Sequence, residues 1–433
     1  MMDILQELTS KADQAEVVEL SSESTQVGFE SNRLKSSQVE ERKGIAVRVV
    51  RGGKLGFAAS SDESALDKLT TNALESAAFG DEIPIAFPEP QAAPDVVTYD
   101  QTIVDLPIPR LVEIGQELID LVRQVEPEVL VNIEIERGVQ HVAIRNHTGT
   151  HVAYQQSPLA ISVEVSRVKG DDVLLLYDVT GTTVWQDDYA AMARQLGKKL
   201  EQAKQSAELA SGKMPVLFAP TGALVLGLPM MQALNGKSVY TGISPMAGKV
   251  GQVLFDEKIT LEDDATIDGR FASAAYDDEG VAHRRNILIK GGVLQGFLYD
   301  LKTAAQSGVE STGNGSRGLF SPPSPSASNL VFGAGQTPLA DMIAGIDEGL
   351  LVENVLGLGQ GNTISGAFSN SASLAFKIHK GEIVGRVKDV SIAGNIYDLL
   401  QDVAAVSQER EWVYRSLYLP YILLDDMNVV AAG

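Results

Sequence analysis

The chain has 433 residues, of which 44% are hydrophobic and 21% charged, so it can bury a sizeable core spread over two or three domains. Its formal net charge of −22 disfavours nucleic acid and anionic membranes as direct partners, because both carry negative charge. The lack of cysteine excludes disulfides, thiolate metal sites and cysteine nucleophiles. The acidic segment 1–8 also lacks the pattern of a secretory signal, so we expect a cytoplasmic protein without membrane spans.

The first half of the sequence predicts helices and strands, with strands in the majority. Helices are predicted where apolar residues recur at helical spacing, at 4–15, 61–78, 107–124 and 189–209. Strands are predicted where Val, Ile and Thr recur, at 15–30, 34–41, 44–50, 55–60, 129–136, 141–146, 152–156, 160–169 and 173–183. A proline-rich connector, 84–94, divides the two groups of strands.

A break after the long helix, at Ser211, Gly212 and Lys213, marks the predicted domain boundary. The second half contains glycine-punctuated hairpins, of which 286–300 and 374–387 are the clearest. Its helices are few and are predicted at 221–235, 301–307, 339–348 and 396–405. We therefore predict an α+β fold with two domains, a mixed α/β sheet domain at 1–210 and a β-rich domain at 211–433.

Two histidines have the spacing of a zinc pair on a helix. His147 and His151 are four residues apart, but Asn146, Thr148 and Gly149 are turn formers between two strand-like runs. In a turn this spacing no longer places both imidazoles on one face. We interpret them as surface histidines of a hairpin.

Three consecutive acidic residues, Asp277, Asp278 and Glu279, could indicate a calcium site or a general acid–base pair. The spacing is not that of a calcium loop, and consecutive side chains point in different directions. The sequence therefore favours a solvated turn before the hairpin.

The segment 311–318 is polar and rich in glycine. It could be a flexible connector, or it could present backbone N–H groups as a binding surface, and the sequence does not separate the two. It lacks the features of a phosphate loop or of a nucleophile loop. The glycines at 357–361 mimic a dinucleotide fingerprint but lack its strand–helix context, so we predict a turn.

The segment 221–235 is apolar on all sides, which is typical of a buried helix. Pro229 lies near its middle and should kink it, because proline removes a backbone hydrogen bond.

Several short motifs in a fixed order resemble the TldD/PmbA family, also known as modulators of DNA gyrase. They occur at 277–280, 286–289, 292–296, 311–315, 365–369, 380–383 and 391–395, and the segments 44–49 and 54–58 extend the resemblance into the first half. Each motif alone is weak, but their common order is specific. The resemblance covers nearly the whole chain.

This resemblance implies peptide hydrolysis by paired, related subunits, one of which holds zinc through two histidines on a helix and a later cysteine. Gly227 and Gln232 stand where the histidines would be, and Leu228 stands where the catalytic glutamate would be. The cysteine is absent, and 407–416 differs from the family's glycine-rich segment. The chain thus resembles the PmbA (TldE) type of subunit.

Three hypotheses follow from the sequence. The leading one is a non-catalytic partner subunit without a cofactor, which forms a hetero-oligomer with a zinc-bearing TldD-type subunit (or a homodimer alone) and acts on peptides. Gly313, Asn314, Gly315 and Arg317 are its candidate peptide or partner surface. The alternatives are a non-enzymatic adaptor or regulator (a modulator of DNA gyrase), and a stand-alone hydrolase using Ser311, Ser365 or the two hairpin histidines.

Overall fold

The computed structural model describes residues 4–170 and 172–431, apart from the side chain at position 63. Residues 1–3, on which part of the signal-sequence expectation rests, lie outside this range. The first half forms α1 (Ile4–Thr9), β1 (Gln14–Glu30), β2 (Arg33–Arg51), β3 (Lys54–Ser60), α2 (Leu66–Ala77), α3 (Gln101–Val104), α4 (Ile108–Val125), β4 (Leu130–Asn146), β5 (His151–Gln156), β6 (Leu159–Lys169), β7 (Asp172–Thr182) and α5 (Ala190–Gln202).

The second half begins with β8 (Gly212–Phe218), which opens a second sheet. It continues with α6 (Leu224–Ala233), α7 (Gly236–Tyr240), β9 (Leu261–Asp264), β10 (Arg285–Lys290), β11 (Val293–Leu294), α8 (Leu301–Ser307), β12 (Gly315–Ser316), β13 (Ser324–Pro325), β14 (Leu330–Phe332), α9 (Leu339–Ala344), β15 (Glu348–Val355), β16 (Ala367–His379), β17 (Glu382–Arg386), β18 (Val390–Asn395), α10 (Ile396–Leu399), β19 (Ala405–Val413) and β20 (Leu417–Ala431). The predicted α+β fold class is confirmed.

The sheet of the first half is antiparallel, with the strand order β3-β2-β1-β4-β6-β7 and β5 paired to β4. Its centre is the long hairpin of β1 and β2, which pairs from Gln14 and Val50 to Glu30 and Arg33. Because β1 offers a continuous ladder, the two strands predicted at 34–41 and 44–50 merge into one. The strands predicted at 129–136 and 141–146 merge into β4 for the same reason.

The sheet of the second half is mixed, with the order β11-β10-β9-β14-β20-β18-β16-β15-β8. The C-terminal strand β20 organises it, because it also pairs with β8 and β19. The pairs β14–β20 and β15–β8 are parallel, and the hairpin predicted at 374–387 is formed by β16 and β17.

The two halves share a hydrophobic core. The helices α4 and α5 bury one apolar face each, and side chains from both sheets pack in the same cluster. Phe29 and Ile133 enter it from the first sheet, and Leu351 and Phe376 enter it from the second. Burial of this apolar surface, at about 25 cal/mol per Å², stabilises the contact between the two halves.

The long helix predicted at 189–209 ends early, at Gln202. The following residues form a short ladder with the second half instead, in which Ala207 N–H donates to the carbonyl oxygen of Arg386 at 2.8 Å. In return, Arg386 N–H donates to the carbonyl oxygen of Gln205 at 2.8 Å. Tertiary pairing therefore overrides local helix propensity here.

Among residues 4–170 and 172–431, no helix combines the length and apolar character that crossing a membrane requires.

The contact between β3 and α2 is close enough to require glycine. A Cβ at Gly56 would lie 2.2 Å from the carbonyl oxygen of Ala73 and 2.7 Å from the backbone nitrogen of Ala77. We predict that Gly56→Ala lowers the free energy of unfolding by about 1–3 kcal/mol, because strand and helix must move apart. Chemical denaturation measures this change. Gly212→Ala, whose Cβ would meet nothing within 4 Å, is the control. Equal losses in both variants would contradict the prediction.

Candidate functional site

The helix α6 is apolar and largely buried, as the sequence predicts. Pro229 lies within it, and Leu226 and Met230 enter the core of the second half. Gly227 is buried, but a Cβ added there would meet no atom within 4 Å. Gln232, by contrast, is exposed. The two positions that the resemblance assigned to histidines therefore differ in their environment.

A cavity of about 180 Å³ lies beside α6. On the helix side it is lined by Val225, Leu228 and Pro229. The opposite wall comes from the loop after β15 and from the start of β16, namely Gly357, Leu358, Gly359, Gln360, Thr363, Ala367, Phe368, Ser369 and Asn370. None of these residues is His, Cys, Asp or Glu. The cavity is therefore lined by apolar side chains, hydroxyls and side-chain amides, and by no ionisable group.

The two histidines of the predicted zinc pair lie on either side of a hairpin turn. His147 follows the end of β4, His151 begins β5, and both are exposed. The turn is fixed by Asn146, whose Oδ1 accepts from the backbone N–H groups of Thr148 and Thr150 at 3.0 and 3.1 Å. The structure agrees with their interpretation as surface histidines of a hairpin.

The acidic turn at 277–280 is buried, so its prediction as a solvated turn is wrong. Asp277 and Glu279 are 2% and 0% exposed. Asp277 Oδ1 accepts from the backbone N–H groups of Glu279 and Val281, each at 2.9 Å, and its Oδ2 accepts from Gly315 N–H at 2.9 Å. These three backbone N–H donors replace the water molecules that a solvated turn would bind.

Glu279 belongs to a buried ion-pair cluster that joins the two halves. Arg48 Nε and Nη2 donate to the two oxygens of Glu16 at 2.9 and 2.6 Å, and its Nη1 donates to Glu279 Oε1 at 2.5 Å. Arg317 Nη2 donates to Glu16 Oε1 at 2.7 Å. We call these four residues, two acidic and two basic, the seam cluster. The guanidinium of Arg48 also lies 5.0 Å from the ring centroid of Phe87.

In the seam cluster, charge pairing outweighs burial in setting the pKa of Glu16 and of Arg48, but not of Glu279. Burial raises the pKa of the Glu16 carboxyl, but the guanidinium groups of Arg317 and Arg48 outweigh it, so the pKa is lowered overall. Burial lowers the pKa of Arg48, yet the carboxylates of Glu16 and Glu279 raise it above its usual value. Burial raises the pKa of Glu279, although Arg48 opposes this. Among the residues that the structure describes, Asp277 has no cationic partner, and burial together with the charge of Glu279 raises its pKa well above the usual range.

Several side chains of the loop 311–318 are engaged in hydrogen bonds to other parts of the chain. Asn314 is 2% exposed, and its Nδ2 donates to Asp263 Oδ2 at 2.7 Å. Arg317 is committed to the seam cluster, although its Nε and Nη1 have no partner among the described groups. A Cβ at Gly315 would lie 2.3 Å from Glu279 Oε2, so glycine lets the loop approach the cluster. A peptide contact of Gly313, Asn314, Gly315 and Arg317 stays a prediction, but the Asn314 and Arg317 side chains are already engaged.

A larger cavity, of about 690 Å³, lies at the seam between the two halves and was missed by the sequence reading. We call it the seam cavity. Phe57 and Phe79 line it from the first half, and Tyr240 and Pro323 line it from the second. Phe79 is 93% exposed, which is unusual for an aromatic side chain. Lys302 also lines the cavity and pairs with an aspartate at position 81.

The comparisons with known proteins agree with this fold. A family model described as the PmbA/TldA metallopeptidase C-terminal domain matches residues 211–431, and one described as PmbA/TldA metallopeptidase domain 1 matches residues 15–77. The chain belongs to the TldD/PmbA family.

Relatives within the TldD/PmbA family align along most of the chain. A "Metalloprotease" of Methanothermobacter thermautotrophicus is 25% identical over 423 residues, covering 94% of this chain and 90% of that protein. A "Metalloprotease PmbA homolog" of Haemophilus influenzae is 25% identical over 456 residues, covering 98% and 94%. The crystal structure of TldE from Thermococcus kodakarensis has a TM-score of 0.91 at 26% identity, covering 99% of each chain.

The zinc implied by the TldD/PmbA resemblance does not fit the residues of α6. Gly227 has no side chain, Leu228 is apolar, and Gln232 offers an amide rather than an imidazole. Zinc in proteins is held by imidazole, thiolate or carboxylate groups. Among the described residues, no group of three or more His, Cys, Asp or Glu side chains could hold a metal ion.

The seam cluster should dominate the stability of this TldD/PmbA chain. We predict that Arg48→Met lowers the free energy of unfolding by about 3–5 kcal/mol, because Glu16 and Glu279 would remain buried without their partner. Chemical denaturation with circular dichroism measures this loss. The matched control is Arg42→Met, which breaks an exposed pair with Glu40 on the same strand and should change nothing measurable. A loss for Arg48→Met no larger than that of the control would contradict the prediction.

Asp263, the partner of Asn314, should make stability depend on pH. Burial raises its pKa from 3.8 to about 6, although hydrogen bonds from Asn314 and Ser328 oppose the shift. The folded chain thus holds this proton more tightly than the unfolded chain does. The stabilisation is complete below the unfolded pKa and is lost as pH rises through about 6.

Asp263→Asn therefore should gain stability relative to the parent as pH rises. The relative gain between about pH 4 and about pH 7.5 should reach up to about 3 kcal/mol, because the amide stays neutral. Denaturation of both proteins at each pH measures the difference, in which any constant cost of the new amide cancels. A difference that does not change with pH would contradict the prediction.

Proposed function

We propose that this chain is a partner subunit, without zinc ligands, of a TldD/PmbA-type metalloprotease that acts on peptides or unfolded polypeptides. One observation carries the proposal. The helix α6, which the resemblance aligns with the zinc helix of catalytic relatives, offers Gly227, Leu228 and Gln232 and lies against a cavity without metal-binding side chains. Membership of the TldD/PmbA family supplies the reaction class, and the likeness to a TldE structure supports the subunit type.

The contribution of the chain would be to shape the path of the peptide. The seam cavity is suited to this role, because ligand sites are concave, largely apolar and supplied with a few polar groups. Phe57, Phe79 and Tyr240 provide apolar surface, and Lys237 and Lys302 provide positive charge at the same cavity. An extended peptide could place apolar side chains on the aromatic rings and acidic groups near the lysines.

The partner in this proposal is a zinc-bearing TldD-type subunit, and zinc would be held by that subunit alone. We place the complex in the cytoplasm, in line with the absence of cysteine from the sequence. The net charge of −22 argues against direct contact with DNA, so an effect on gyrase would act through proteolysis.

The proposal predicts that the purified chain takes up no stoichiometric zinc and does not cleave an unfolded peptide substrate. Adding a zinc-bearing subunit of the family should give cleavage that a chelator abolishes, because the zinc-bound water of that subunit performs the attack. Elemental analysis and a peptide-cleavage assay measure the two quantities. The chain should also increase the cleavage rate above that of the zinc-bearing subunit alone.

One further variant and one control complete this test. Phe79→Ser removes the exposed ring from the seam cavity without touching the core, so it should raise the KM of the assembled enzyme more than it lowers kcat. His147→Ala with His151→Ala should leave the activity unchanged. Robust cleavage by the chain alone after repurification, or about one zinc lost with these histidines, would overturn the proposal. Normal gyrase regulation with an inactive zinc subunit would favour an adaptor.

A further inference from the structure

The first sheet has one face in the hydrophobic core and a second face that is largely exposed. Ile133 and Val163 mark the core face. Because side chains alternate along a strand, the residues next to them point to the opposite side, which we call the outer face. The strand registers place its central residues in four rows, namely Gly28, Glu134 and Ser162; Gln26, Glu136 and Ala160; Asn132, Glu164 and Tyr177; and Leu130, Ser166 and Leu175.

One end of the outer face is apolar. Leu130 and Leu175, which flank Ser166, are each 45% exposed. Tyr177 is exposed in the next row, and its ring centroid lies 6.1 Å from that of the exposed Tyr414. The exposed apolar side chains at this end are Leu130, Val168, Val173, Leu175, Tyr177 and Tyr414. A contiguous apolar patch of this kind is typical of an interaction site.

The middle of the outer face is acidic. Glu134, Glu136 and Glu164 are exposed, and none of them has an ion-pair partner in the part of the chain that the structure describes. Two of them are held by neutral amides. Gln26 Nε2 donates to Glu134 Oε1, and Asn132 Nδ2 donates to Glu164 Oε1 at 2.9 Å. An amide orients a carboxylate but does not neutralise it, so three negative charges are presented together.

Cations near these three carboxylates are engaged elsewhere. Arg42 pairs with Glu40 at 2.7 Å, and Lys35 pairs with Glu30 at 3.3 Å. The guanidinium of Arg415 lies over an aromatic ring, 5.1 Å from its centroid. The negative charge on the outer face is therefore in excess.

The acidic part of the outer face is also concave. A cavity of about 400 Å³ is lined by Glu134, Glu164 and Tyr177 together with the small residues Gly28 and Ser162. Small residues between longer side chains leave room for the side chains of a ligand. The outer face thus combines a concave acidic region with an adjoining apolar end.

We propose that the outer face binds an extended polypeptide segment in which lysine or arginine residues lie near apolar residues. The basic side chains pair with Glu134, Glu136 and Glu164, and the apolar side chains contact the apolar end. The strand from Leu130 to Glu136 spans about 20 Å, which an extended segment of about seven residues covers. The inference rests on the proposed function for the role of this segment, as part of the peptide substrate, and adds the charge that the substrate carries.

Charge and apolar surface together select this occupant. A second copy of the chain would bring the same carboxylates against the outer face, and nucleic acid or anionic lipid would bring phosphates, so like charges would repel each other. A small polyamine would neutralise the carboxylates but would leave the apolar end exposed. A polypeptide segment supplies both kinds of contact.

Fluorescence anisotropy of a labelled peptide tests the binding, on the full chain without zinc or another subunit. The probe is a peptide of about ten residues in which lysines and leucines are separated by serine and glycine. We expect a Kd of about 10–100 μM at about 0.05 M salt, and weaker binding at about 0.15 M salt, because salt screens exposed charges. A control probe with glutamate in place of lysine should bind at least about tenfold more weakly.

Variants of the outer face test the two kinds of contact separately. Glu134→Gln with Glu136→Gln and Glu164→Gln should weaken binding of the basic probe by about tenfold, because exposed charge pairs contribute up to about fivefold each. Leu130→Ser with Leu175→Ser should weaken it by about fivefold, because apolar surface then stays in contact with water.

Matched controls make the same changes elsewhere. Glu75→Gln with Glu257→Gln and Glu310→Gln removes three exposed charges at other positions, and Ile243→Ser with Val250→Ser removes two exposed apolar side chains from the second half. Both controls should keep the parent affinity. Because every altered residue is exposed, thermal unfolding should confirm that all variants keep the parent fold.

Four outcomes would overturn the proposal. They are no binding of the basic probe up to about 1 mM, equal affinity for the basic and acidic probes, a triple glutamine variant no weaker than its control, and release of the bound probe by an added zinc-bearing subunit in the presence of a chelator. The last would assign the outer face to the contact between subunits. Failure of the proposed function is distinguishable, because it would appear as absent cleavage with the zinc-bearing subunit while the chain alone still binds the probe.

Discussion

The seam cluster is the interaction on which the arrangement of the two halves depends. Its members lie far apart in sequence, on β1, on β2 and in two loops of the second half, yet all are almost fully buried. Removing four charged groups from water costs several kcal/mol for each ion, and that cost is offset only when each charge has close partners. A small displacement between the halves would separate Arg48 from Glu279, and the desolvation cost of both charges would then no longer be offset. The cluster therefore fixes their relative position, beyond what apolar burial alone specifies.

Two cavities acquire their character from this fixed geometry. The seam cavity exists because the halves meet along Arg48, Phe57 and Tyr240, so its shape is set by the same contact that the cluster stabilises. The smaller cavity beside α6 belongs wholly to the second half. The two cavities therefore lie in different parts of the fold: the seam cavity is large and partly aromatic, and the cavity beside α6 has no His, Cys, Asp or Glu in its lining.

Several motifs of the TldD/PmbA family make structural contacts with one another in this chain. Asp277 organises its own turn and accepts from Gly315, and Glu279 reaches across to Arg48. Gly315 has no room for a side chain beside Glu279. Two loop motifs, 277–280 and 311–315, and the strand motif 44–49 therefore meet in one buried junction. This junction explains why acidic residues and glycines recur together without forming a metal or phosphate site.

The sequence by itself determined the α+β class, the glycine hairpin of β16 and β17 and the buried apolar helix with Pro229. These features depend on local periodicity, turn chemistry and residue identity, which are present in the sequence itself. Only the tertiary structure decided that Glu279 is buried, because its partner Arg48 lies 231 residues away in sequence. When the sequence shows no cationic partner near a carboxylate, the prediction is that the carboxylate is solvated, because burying a charge without a counter-charge is too costly. The merging of strands, the early end of α5 and the outer face of the first sheet were likewise decided by neighbours distant in sequence, whose positions no local pattern records.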